Sequence, residues 1–172
     1  MNARVFAAIN EQINSEFQAS YIYLAMAGFC DRQKFLGAAK WLRMQSEEER
    51  LHALKLFDFV LARDGTVELK AIAQPSSKFE SLSTVFEQAL THEQAVTAQI
   101  NALYELCFTE KAFAEMTELH WFLTEQVEEE KTAREIVAKF RLVKGDPAAI
   151  LDIDRELGER TTAALQATAT PR

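Results

Sequence analysis

Little in this chain interrupts a helix: its 172 residues include only five glycines and three prolines. So sparse a supply of turn formers argues against a domain of many short strands and favours long helices. Cysteine is scarce as well. Cys30 and Cys107 are the only two, and no C-x-x-C pair offers a thiolate metal site. They read as small buried hydrophobes in a reducing, cytoplasmic-type compartment. No apolar run approaches membrane-spanning length, and Arg4, Asn10 and Glu11 interrupt any signal-peptide core. A soluble cytoplasmic protein with no membrane partner is expected. Positive charge is lacking too: the net charge is −7 with no Lys/Arg cluster, which argues against nucleic-acid binding.

What is present is apolar periodicity. At 48% apolar, the chain can bury the core of one ordinary domain. Residues 3–30, 36–64, 82–108 and 111–142 repeat apolar side chains every three or four positions, predicting four long helices. Each would be ~40 Å long. Short turns near 31–35 and 109–110 make antiparallel neighbours of the first pair and of the second pair.

The middle connection, 65–81, is far longer and contains Pro75. At up to ~3.3 Å per residue it can run the whole length of the bundle, which sets the second and third helices parallel. Cys30 and Cys107 then lie at opposite ends, out of disulfide reach. Asp146 and Pro147 open a short fifth helix, with Ile150, Leu151, Ile153 and Leu157 on an apolar face and an end near Arg160. That face needs a covering surface, expected from a neighbouring subunit. Residues 161–172, rich in Ala and Thr, read as a flexible tail behind a domain of residues 1–160.

The core stripes carry an anomaly. The seam Leu82, Phe86, Ala89, Glu93, Val96, Ile100, Leu103, Cys107 places a carboxylate among apolar residues. Glu16 interrupts the first helix in the same way, Glu49 and His52 the second, Gln126 and Glu129 the fourth. A buried, unpaired carboxylate costs several kcal/mol or is forced to protonate. Each residue alone has a bland reading as a solvated or hydrogen-bonded group, but coincidence on all four helices is hard to accept. Converging carboxylates are best relieved by bound cations, which predicts a dinuclear metal site. Glu49-x-x-His52 aims both side chains at one point, and mixed carboxylate/imidazole ligation without cysteine suits iron or manganese. Tyr23, two turns beyond Glu16, falls beside the site. Trp121 is a second oxidisable ring, read chiefly as packing.

These motifs reach a family. N-E-Q-I-N-S-E-F at 10–17, E-E-E-R-L-H at 47–52, H-E-Q at 92–94 and E-Q-V-E-E-E-K at 125–131 resemble bacterial non-haem ferritins over nearly the whole chain. The resemblance implies an all-α, ferritin-like four-helix bundle with one long crossover and a short fifth C-terminal helix. It further implies a ferroxidase centre. Glu16, Glu49 and His52 would hold one iron, and Glu49 would bridge to a second held by Glu93 and Glu129, with Gln126 alongside. Glu48, Glu125, Glu128 and Glu129 match a third, outer iron site, and Tyr23 matches a tyrosine beside the centre. The implied activity is oxidation of Fe(II) by O2 or H2O2, with ferric oxyhydroxide stored in a shell of twenty-four subunits. Glu115 and Glu118 are candidate carboxylates of an entry channel by position alone.

Haem is not expected: bacterioferritin carries a second E-x-x-H and a haem-binding methionine directly after its first glutamate, where this chain has Gln126-x-x-Glu129 and Arg50. Two rivals stay open on sequence alone. One is a di-iron enzyme acting on an organic substrate or peroxide. The other is a helical assembly protein whose polar seam only fixes register.

Overall fold

The computed structural model describes residues 2–161, and they form five helices. These are α1 (Ala3–Arg32), α2 (Leu36–Ala62), α3 (Leu82–Thr109), α4 (Phe113–Val143) and α5 (Pro147–Gly158). The expected all-α bundle with a short fifth helix is what the chain builds. No described helix is long and apolar enough to cross a membrane.

Local chemistry sets the boundaries. The Asn2 side chain accepts from the Arg4 and Val5 amides to start α1, Ser81 does the same for Thr84 in α3, and Asp146 for Ala149 in α5. Three helix ends share one device. Lys34, Asp64 and Lys111 adopt left-handed φ of 70°, 57° and 55°. The next amide then reaches back five residues: Phe35 to the Cys30 carbonyl, Gly65 to Val60, Ala112 to Cys107. The left-handed Lys111 is why α4 begins at Phe113 rather than at the expected position 111.

The long connection runs along α1, as its length required. Asn10, Asn14 and Gln18, one turn apart, each grip its backbone from both sides. The Glu68 amide donates to Asn10 Oδ1 at 2.8 Å, Lys70 to Asn14 Oδ1 at 2.7 Å and Ala73 to Gln18 Oε1 at 2.7 Å. Their side-chain amides donate in return to the carbonyls of Thr66, Glu68 and Ala73. Three side chains thus satisfy a strap that forms no secondary structure.

The apolar core is cut in two. One cluster joins Met26 and Cys30 of α1 to Leu42 of α2, Leu82 and Phe86 of α3, Phe140 of α4 and both Ile153 and Leu157 of α5. The other joins Val5 and Ile9 to Leu56 and Val60, Ile100 and Cys107, and Leu119 and Phe122. The start of α3 therefore meets the end of α1 and the start of α2, so α2 and α3 run parallel. Cys30 and Cys107 sit in different clusters as free, buried thiols. Burial pushes the thiols up, to about 12 for Cys30 and about 11 for Cys107.

The fifth helix corrects one expectation. Its apolar face is covered by its own chain, because Ile153 and Leu157 are buried against the bundle, while Leu151 stays exposed. The close approach depends on Gly37: a Cβ there would lie 1.7 Å from the Asp154 carbonyl oxygen. Asp154 in turn accepts from the Gly37 and Ala38 amides, at 3.3 and 2.8 Å. It caps α2, whose own N-cap residue, Phe35, supplies no side-chain bond. Lys40 returns a bond to the Gly158 carbonyl at 2.7 Å. The expected tail lies, beyond Thr161, outside the described residues.

Candidate metal centre

Between the two apolar clusters lies a layer of buried polar side chains: Glu16 from α1, Gln45, Glu49 and His52 from α2, Glu93 from α3, Gln126 and Glu129 from α4. Helical periodicity put each on its core stripe, and the common bundle depth brings them together.

Glu16, Glu49 and His52 each offer a ligand atom within 4.8 Å of the others. His52 Nδ1 lies 3.3 Å from Glu49 Oε2, which leaves its Nε2 without a partner. Glu16 Oε1 accepts from Gln12 Nε2 at 2.8 Å, and Glu16 Oε2 has no partner. Among the described residues, three buried polar side-chain atoms are unsatisfied, and two belong to this cluster. The third, His92 Nε2, lies on a ring packed edge-on against Tyr23 at 5.8 Å. Buried polar atoms left unpaired beside converging carboxylates are groups that a bound cation would satisfy. The donor set, carboxylate oxygen with imidazole nitrogen, fits iron chemistry.

The second side of the layer is built on α3 and α4. Tyr23 donates to Glu93 Oε1. Gln126 Nε2 lies 3.3 Å from both the main-chain carbonyl and the Oε2 of Glu93. Gln45 Nε2 donates to Glu129 Oε2 at 2.8 Å and to Glu49 Oε1 at 3.3 Å. Glu129 also joins His52 and Glu125 in a second group of ligand atoms within 4.8 Å. Gln45 and Gln12 lie outside the expected ligand set, although both bond its carboxylates. Gln45 was legible as a polar member of the α2 seam, whereas Gln12, one turn before Glu16, gave no comparable signal.

Crowding of like charge sets the electrostatics. Burial raises Glu16 to about 8, and the Glu49 charge adds to it. Burial and then Glu93 push Glu49 well above the carboxylate range, and burial with Glu93 and Glu49 does the same to Glu129. Burial raises Glu125 as well. Burial and mutual repulsion therefore favour the protonated form of these carboxyls.

The outer group assembles only in part. Glu125 faces His52 and Glu129. Glu48 is buried but paired with Arg160. Glu128 points away: its side chain is 66% exposed, 4.0 Å from Lys131. Glu115 and Glu118 each pair within the chain, with Arg63 and Lys55, both at 3.3 Å. Trp121 packs edge-on against His52 with centroids 5.3 Å apart.

A four-helix bundle enclosing a carboxylate/imidazole layer defines a class of metal-handling proteins, and similarity narrows it. Residues 6–143 match the ferritin-like domain. A protein named bacterial non-heme ferritin from Staphylococcus aureus is 33% identical over 161 residues, covering 94% of this chain and 97% of the relative. A probable bacterial non-heme ferritin-like protein from Haemophilus influenzae is 35% identical over 164 residues, covering 95% and 99%. Among solved structures, an open-pore ferritin from the hyperthermophilic archaeon Archaeoglobus fulgidus superposes with a TM-score of 0.92 at 42% identity, covering 94% and 99%. The chain belongs to the ferritin family.

Proposed function

We propose that this protein is an iron-storage ferritin that oxidises Fe(II) at the buried layer and stores ferric oxyhydroxide inside a twenty-four-subunit shell in the cytoplasm. The carrying observation is the buried Glu16–Glu49–His52 cluster, whose Glu16 Oε2 and His52 Nε2 have no partner. Iron is substrate and cargo here. Glu16, Glu49 and His52 hold one Fe(II); Glu49, Glu93 and Glu129 hold the other. Two adjacent Fe(II) ions give up the two electrons that, with two protons, convert O2 to H2O2, so no one-electron radical is released. Carboxylate ligands favour Fe(III) over Fe(II) and supply driving force. Gln126, a neutral side chain, leaves the second position weakly held, so that oxidised iron can depart. Glu125 and Glu129, with His52, form a staging position on that route.

The rival readings lose ground on specific residues. Gln126-x-x-Glu129 replaces the second E-x-x-H expected of an organic-substrate di-iron enzyme. A seam that only fixes register has no use for unpaired buried ligand atoms. Aerobic addition of Fe(II) to apo-protein, followed by ferric absorbance and particle mass, separates the three. Storage requires uptake far beyond the centre's own capacity, with mineral in the particle. Uptake that stops at about two or three irons per chain rules out storage, and no uptake favours the register-only reading.

A further inference from the structure

Gln45 is fully buried in the polar layer, and both polar atoms of its side chain are engaged. Arg160 Nη1 donates to its Oε1 at 2.9 Å. A guanidinium only donates, so this bond fixes the carboxamide with Oε1 toward Arg160 and Nε2 toward the layer. Arg160 is itself held, over the Trp41 ring at 4.7 Å from the centroid and against Glu48. Nε2 then donates to carboxylates on two different helices, Glu129 Oε2 at 2.8 Å and Glu49 Oε1 at 3.3 Å.

The two proposed ion positions differ in what their ligand atoms already bond. On one side, Glu16 Oε2 and His52 Nε2 have no partner. On the other, the carboxylates accept from neutral donors. Tyr23 and Gln126 both serve Glu93, and neither bonds a second carboxylate. Gln45 is different. Its single nitrogen lies within hydrogen-bond reach of both Glu49 and Glu129, the α2 and α4 carboxylates that the second ion would share. An amide with two N–H groups can satisfy both oxygens at once, as a cation would.

We propose that Gln45 Nε2 stands in for the second ion between Glu49 and Glu129, so that this ion binds only by displacing the carboxamide. Loading is then ordered. The first ion enters at Glu16, Glu49 and His52 with Gln45 in place, because Glu49 Oε2, the oxygen beside His52, takes no bond from Gln45. The second ion must break both bonds of Nε2, and the Arg160 bond to Oε1 favours the return of the carboxamide. Gln45 is therefore a positioning residue that weakens the second step and eases departure of that ion. This inference rests on the ferroxidase reading of the centre.

Anaerobic calorimetric titration of the full-length protein with Fe(II) tests it. Gln45→Met keeps the length but not the donors. It should tighten the second binding step at least about tenfold, while the first stays within about threefold of the parent. Gln45→Lys puts a full charge where the carboxamide stood and should weaken the second step at least about tenfold. A merely structural role would move both variants the same way. Unchanged second steps, or weakening in both variants, overturn the proposal. Crystals of the parent give a readout that needs no variant. Grown without iron and then loaded anaerobically with Fe(II), they should show Nε2 between Glu49 and Glu129 only before loading. Nε2 still bonded to both carboxylates with two irons in place overturns the stand-in alone. No Glu49-dependent Fe(II) binding in the parent or in Gln45→Met overturns the ferroxidase reading, and the stand-in falls with it.

Discussion

The hydroxyl of Tyr23 donates to the carboxylate of Glu93, tying α1 to α3 across the polar layer. Burial, then the charges of Glu93 and Glu49, hold that phenol well above its ordinary range, so it remains a donor at any working pH. A hydrogen bond to a charged group contributes about 1.5–3 kcal/mol. Tyr23→Phe should therefore keep the fold and the binding stoichiometry while weakening ion binding on the Glu93 side about tenfold. Anaerobic calorimetry reads this directly. Unchanged affinity would mean that the bond does not position Glu93.

Proton release follows from the raised carboxylates. Glu16 ionises at about 8 in the folded protein against an ordinary 4.5. The folded apo-protein thus binds more protons than the unfolded chain between those values. Stability from this group is present below 4.5 and is lost as pH rises through about 8. A metal ion needs the ionised carboxylate, so it must displace the proton. Adding Fe(II) anaerobically at neutral pH should release protons, and the release should shrink at alkaline pH. A pH-stat titration counts them; no release at neutral pH would contradict the protonated layer.

Glu49 sits where stability and activity oppose each other. Its burial beside Glu16 and Glu93 disfavours the ionised form, while the proposed centre needs that form as a ligand. Glu49→Gln removes the cost of holding a buried carboxyl in this crowded layer but keeps the volume. Apo-protein carrying it should melt higher by about 2–4 °C per kcal/mol relieved. Its Fe(II) oxidation should fall about a hundredfold or more, since the shared ligand between the two positions is gone. Melting and stopped-flow absorbance check the two halves separately. A variant that oxidises at the parental rate would remove Glu49 from the centre.

The docking of α5 can be broken without touching the layer. Gly37→Ala drives a methyl group into the Asp154 carbonyl. Overpacking of this kind costs about 1–3 kcal/mol. Asp154→Ala removes the borrowed cap of α2 and costs about 1 kcal/mol. Both should lower the melting temperature, and Gly37→Ala should raise amide exchange through α5. Unaltered exchange in α5 would show that the helix is held elsewhere.

Much of this was readable from spacing alone. Glu16, Glu49, His52, Glu93 and Gln126 stood out because each occupies a seam position where helical period demands an apolar side chain. The same geometry explains Glu128. It lies about 100° around the helix from Glu129, so both cannot face inward together. The outward side chain here is Glu128, which no ligand motif could show without that rotation being applied. Arg160 was beyond local reading because its partners, Gln45 and Glu48, are 115 and 112 residues away in sequence. The packing of the α5 face is hidden from local reading for a similar reason. Its cover depends on Gly37, whose missing side chain leaves no periodic signal. The helix ends at Lys34, Asp64 and Lys111 lack the glycine that usually marks a left-handed terminus.

Anomalous diffraction from crystals loaded anaerobically with Fe(II) tests the centre most directly. Two iron peaks per chain are expected, one among Glu16, Glu49 and His52, the other among Glu49, Glu93 and Glu129. A single peak away from Glu49, or no peak inside the bundle, would contradict a dinuclear site.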